Sequence, residues 1–75
     1  MKSGYTSVTS SQISAFAYNE QDQRLNIVFV KNGDEYQYSN VPKEVVDQLV
    51  VAESFGAAFS SLIKKHPTRF PYMKV

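Results

Sequence analysis

The dipeptide Asn32-Gly33 stands between two runs of strand-forming residues, 24–31 and 34–38, and constrains the fold more than any other feature of the chain. A two-residue type I′ hairpin turn needs positive φ at both central positions, which Asn and Gly adopt at little cost. With Lys31 and Asp34 flanking the turn, Phe29 is expected opposite Tyr36 and Ile27 opposite Tyr38, aligning aromatic and β-branched side chains on one face. That face is the expected core side. The other face would pair Val30 with Glu35 and Val28 with Gln37, leaving it part apolar and part polar.

An earlier strand is expected over residues 12–18. There Ser14, Phe16 and Tyr18 alternate with Ile13, Ala15 and Ala17, and the polar stretch 19–23 separates this run from the next. Beyond the hairpin, Pro42 signals a helix start. Glu44 and Asp47 suit the positive end of its dipole, and the helix should run to about Val51. Val45, Leu49 and Ala52 form one stripe, Val46 and Val50 the neighbouring one. Ser54 is placed to cap a second helix carrying Phe55, Phe59, Leu62 and Ile63 at helical spacing. Gly56, Ala57 and Ala58 keep its start thin enough to approach the first helix or the sheet. Pro67 and the cations Lys64 and Lys65 mark its end. The expected fold is α+β: a three-stranded antiparallel β-meander followed by two α-helices, with a flexible lead-in at 1–10, a domain at 11–66 and a basic, aromatic tail at 67–75.

In 75 residues without cysteine, neither a disulfide nor a cysteine zinc site can staple the fold, so apolar packing has to hold it. A hydrophobic fraction of 43% against 20% charged residues and a net charge of +1 separates the chain from disordered sequences. No apolar run reaches the roughly 18–20 residues that span a bilayer, so no membrane partner is expected. The opening residues lack the apolar stretch of a secretory signal, so a cytoplasmic location is expected.

Several residues together resemble the KTSC domain family, over about residues 10–64. They are Ser11 and Ile13 leading to Tyr18; Leu25-Asn26-Ile27-Val28-Phe29; Gly33 with Tyr36-Gln37-Tyr38; Val41-Pro42; and Ala52-Glu53-Ser54-Phe55-Gly56 with Phe59 and Ile63. Val46 departs from the pattern, which often has an aromatic there. The family occurs at the carboxyl end of some lysyl-tRNA synthetases and as small stand-alone proteins of bacteria and phages. The resemblance implies RNA binding, or docking on an enzyme of the nucleic-acid machinery.

Catalysis needs a nucleophile or acid–base group held by a partner. His66, the one histidine, lies at a helix end. Ser54 has a capping role to explain it, and Asp34 and Glu35 should point to opposite faces into solvent. A non-enzymatic binding module without cofactor or metal is therefore expected. Its first expected partner is a protein of the nucleic-acid machinery, as for a phage-type regulator of a host enzyme such as RNA polymerase. It would be met through an apolar patch of Ile13, Ala15, Val28 and Val30 on the second sheet face. The same patch could form a homodimer seam or be covered by residues 1–10. The alternative is direct RNA binding through Lys64, Lys65, Arg69, Tyr36 and Tyr38, because from Lys64 onward the chain carries four cations and no acid.

Overall fold

In a computed structural model, which describes residues 4–75, five antiparallel strands form one sheet in chain order. They are β1 (Thr6–Ser7), β2 (Ile13–Asn19), β3 (Arg24–Phe29), β4 (Glu35–Tyr38) and β5 (Tyr72–Lys74). Helices α1 (Lys43–Val51) and α2 (Phe55–Phe59) lie between β4 and β5 in the chain, and α2 continues as a π-helical turn over Ser60–Lys64. The α+β class and the central meander β2–β3–β4 agree with expectation; the sheet has two further strands. β1 comes from the segment read as a lead-in and β5 from the tail. Strands of two and three residues are too short to display a period of two in sequence.

The hairpin register differs from expectation by two residues: Tyr36 lies opposite Ile27, and Tyr38 opposite Leu25. Residues 30–33 form a four-residue loop, closed by Phe29 N–H donating to Asp34 O at 2.9 Å and Gly33 N–H to Phe29 O at 3.0 Å. Only Gly33 takes positive φ (72°). The Asn32 side chain accepts from Asp34 N–H at 3.2 Å instead, an Asx turn that holds its backbone out of the left-handed region. A slip of two leaves every side chain on its expected face, because the pleat repeats every two residues.

β2 departs from simple alternation. Ile13 pairs with Phe29 but Ala15 pairs with Val28, so Ser14 is the extra residue of a β-bulge. The bulge turns Ile13 onto the helix-covered face, where it is fully buried with Phe16, Leu25, Ile27 and Tyr38.

Pro42 caps α1, whose buried residues are Val46 and Leu49; Val50 is 53% exposed, so its stripe is buried only at Val46. Ser54 caps α2, its hydroxyl accepting from Ala57 N–H at 3.2 Å. Gly56 lets α2 approach the segment that enters β2, since a Cβ there would stand 2.8 Å from Ser10 Oγ. Phe55 stacks on Phe16 at 5.0 Å, and Phe59 meets Tyr38 edge-on at 5.2 Å, joining helix to sheet. In the tail, buried Phe70 anchors the chain, while Ser39 N–H to Pro71 O (2.8 Å) and Val75 N–H to Glu35 O (2.9 Å) hold β5 beside β4. No described helix is long and apolar enough to cross a membrane.

Candidate ligand-binding cleft

Where the β3–β4 loop, the end of the π-helical turn and β5 converge, they enclose an open cleft of about 430 Å³. Its lining is Phe29, Lys31, Asn32, Tyr36, Tyr38, Ile63, Lys64, Pro67 and Tyr72. The size lies within the roughly 300–1,000 Å³ usual for small-ligand sites. The π-helical turn contributes directly. Its wide bond, Lys65 N–H to Ser60 O at 3.2 Å, accompanies a geometry that buries Ile63 while leaving Lys64 exposed on the rim.

Four aromatic rings, with Ile63 and Pro67, make up the cleft's apolar wall. Phe29 meets Tyr36 edge-on at 5.7 Å, and Tyr72 lies 5.9 Å from Tyr36 and 5.4 Å from Tyr38. Their exposures decide their roles: Tyr38 is 5% exposed and forms floor, whereas Tyr72 is 56% exposed and offers an open face. Among the described residues the cations on the wall are Lys31 and Lys64, and no carboxylate lines it. Asp34 nearby is paired with Lys74 at 3.4 Å.

Of the RNA-contact residues expected from sequence, Lys64, Tyr36 and Tyr38 meet in this cleft; Lys65 and Arg69 are exposed outside it. Arg69 instead lies over the ring of Phe70, 5.1 Å from its centre. Lys31 and Tyr72 are not among the expected contact residues: Lys31 reads in sequence as the residue flanking the turn, and Tyr72 as an aromatic anchor of the tail. A weak signal existed for Tyr72, since Pro71 forces the extended backbone that begins a strand.

The residues expected to form a protein-docking patch are dispersed. Ile13 is core, Ala15 is fully buried, Val28 is half-buried and Val30 is 51% exposed in the hairpin loop. Ile13 left the second face because of the bulge, and what remains of that face carries a polar network. Tyr5 donates to Glu35, which also accepts from Asn26 Nδ2 at 2.7 Å; Gln37 Nε2 donates to Asn26 Oδ1 at 3.2 Å. Glu35 is therefore engaged rather than solvated, although it does face away from Asp34 as alternation requires. The bond to Glu35, first, and burial, second, raise the Tyr5 phenol above its ordinary range. Asn19, Asp22, Arg24 and Gln37 line a shallower polar hollow on this side.

Burial, first, and then Tyr72 and Tyr36 push the phenol of Tyr38 up to about 12 from its usual value near 10. An unfolded chain releases this proton near pH 10 and the folded one near 12, so the folded state holds more protons in between. The stabilisation is complete below pH 10 and is lost as pH rises toward 12, at up to roughly 1.4 kcal/mol per pH unit. Urea unfolding at pH 9 to 12 should show this fall, and Tyr38→Phe should flatten it. Equal slopes for both proteins would mean that Tyr38 ionises freely when folded.

Comparison with known proteins adds the family. The KTSC domain model matches residues 9–66, most of the chain. The chain belongs to the KTSC domain family. The crystal structure of a KTSC domain protein from Yersinia pestis superposes with a TM-score of 0.84 at 31% identity, covering 95% of this chain and 94% of that one. An uncharacterized protein of Stutzerimonas stutzeri is 33% identical over 66 residues, spanning 88% of this chain and 89% of its own length. A protein of Tsukamurella paurometabola is 40% identical over 57 residues, 76% of this chain and 84% of its own length. The KTSC match spans β2 through the π-helical turn, so Lys31, Tyr36 and Lys64 fall inside it and Tyr72 falls beyond.

Proposed function

We propose that this KTSC domain is a non-enzymatic binding module that takes single-stranded RNA in the cleft between the β3–β4 loop and β5. The observation that carries the reading is an aromatic wall with an exposed tyrosine, Tyr72, between two lysines, with no carboxylate in the lining. Aromatic faces stack on bases whatever their sequence, and lysines meet phosphates, so the two together suit a splayed single strand. A duplex hides its base faces and should bind poorly.

Fluorescence anisotropy with labelled (rU)10, (dT)10 and a ten-base-pair RNA duplex tests the proposal. Binding of (rU)10 and little of the duplex is expected. Tyr72→Ala should weaken it by about 1–3 kcal/mol, roughly five- to 150-fold, the range found for one base on one aromatic. The variant should stay folded, because the side chains of β5 are all exposed. A tenfold preference for (dT)10 would reassign the ligand to single-stranded DNA, and no binding of either strand would sink the proposal.

A second reading, docking on a protein of the nucleic-acid machinery, is favoured by apolar side chains left in solvent: Val30 at 51%, Val51 at 80% and Met73 at 59% exposed. It predicts a partner that survives nuclease in affinity purification from lysate and is lost with Val30→Glu.

A further inference from the structure

The cleft's dimensions and charges bear on how much of a strand it can hold, a question that rests on the RNA reading just proposed. Of its four rings, Tyr38 is buried and Phe29 and Tyr36 are half-buried, so Tyr72 alone has a largely open face. One open ring accepts one base. The phosphate side is equally limited: Lys31 and Lys64 stand on the wall, and Lys74, the next cation along β5, is already paired with Asp34 at 3.4 Å. Lys65 and Arg69 lie outside the cleft, with the Arg69 guanidinium held over Phe70.

We infer that the cleft is a single-nucleotide site: one base stacks on Tyr72, and the phosphates flanking that nucleotide are met by Lys31 from the hairpin loop and Lys64 from the helix end. The Tyr36 ring backs Tyr72 from the sheet, and the Tyr38 and Phe29 rings close the floor. The ligand is thus a nucleotide unit within a strand or at its end. The basic run 64–69 does not act as a track along which several phosphates lie.

Two quantities read this directly. The first is length dependence: affinity should rise from the nucleoside to its 5′-phosphate and to a dinucleotide carrying two phosphates, then change less than about threefold up to the decamer once the number of registers is allowed for. The second is salt dependence, which counts neutralised phosphates at about −0.7 per contact on a single strand. Two contacts give a slope of about −1.4, a roughly sevenfold loss from 50 to 200 mM salt. Four contacts, with Lys65 and Arg69 included, would give about −2.8 and a roughly fiftyfold loss. Lys31→Gln and Lys64→Gln should each reduce the slope by about 0.7, while Lys65→Gln and Arg69→Gln leave it unchanged. All four side chains are exposed, so the variants should fold. Binding of (rU)10 with the steeper slope, or affinity that keeps climbing with length, overturns the single-nucleotide site and leaves the RNA reading standing. Failure of every oligonucleotide to bind at 20 mM salt overturns both.

Discussion

Ile13→Asp should leave the chain unfolded at 25 °C, whereas Ser14→Asp, one residue along the same strand, should leave it folded. Plain alternation along β2 puts Ile13 on the second sheet face with Ala15 and Ala17, and Ser14 on the core face with Phe16. The bulge reverses this. Ile13 is fully buried and paired with Phe29, inside a cluster that includes Phe16, Ile27 and Leu49. The cluster around it is aliphatic and aromatic, so a carboxylate there must stay charged in an apolar medium or take up a proton at pH 7. Either course costs several kcal/mol, added to the lost isoleucine packing of about 2–5 kcal/mol. A domain of 75 residues has about 4–11 kcal/mol of stability in total. Ser14 is only half-buried, and the bond its hydroxyl donates to Val28 O is long at 3.4 Å, so its replacement should cost about 1 kcal/mol. Far-UV circular dichroism and urea unfolding of the two variants decide the matter. A folded Ile13→Asp beside an unfolded Ser14→Asp would show the strand to be regular and the bulge absent.

The same contrast shows what was legible in the sequence and what was not. The faces of the hairpin were legible because Ile27, Phe29, Tyr36 and Tyr38 alternate, and a slip of two residues preserves alternation. The register itself was not, because Asn32-Gly33 serves two turns. In one, Asn32 takes the left-handed backbone; in the other it spends its side chain on Asp34 N–H and leaves Gly33 alone at positive φ. Nothing local chooses between them. The choice accompanies the bond from Val30 N–H to Gln12 O at 2.9 Å, a contact with a different segment. Ser54 was legible as a cap because capping is a local problem solved within three residues. The cleft was only half legible. Tyr36, Tyr38 and Lys64 were candidates for base and phosphate contacts, but Lys31, Lys64 and Tyr72 come from a loop, a helix end and an edge strand. Only β5 pairing with β4, in a register that sets Tyr72 beside Tyr38, brings the open ring to the lysines.

Phe59→Ala is expected to cost about 3–5 kcal/mol, the range for removing a large aromatic from a packed core. Phe59 is 1% exposed, and its ring meets Tyr38 edge-on at 5.2 Å and Phe29 at 6.0 Å, so one side chain ties α2 to both β3 and β4. Both partners face the cleft. Truncating Phe59 therefore leaves a void under its floor, into which Tyr38 and Phe29 can sink, drawing Tyr72 with them. The urea midpoint should fall by about 2–5 M if the slope is near 1–1.5 kcal/mol per M, as suits a small domain. That loss is close to the whole stability of a chain this size, so the ligand experiment belongs with Phe59→Leu, which keeps most of the volume and should cost about 1.5 kcal/mol or less. In Phe59→Leu the protein stays folded while the edge-on contacts to Tyr38 and Phe29 are gone. If the floor positions Tyr72, affinity for (rU)10 should drop severalfold with the salt slope unchanged, since the lysines are untouched. Unaltered affinity in a demonstrably less stable protein would mean that Tyr72 holds its place through β5 backbone pairing alone.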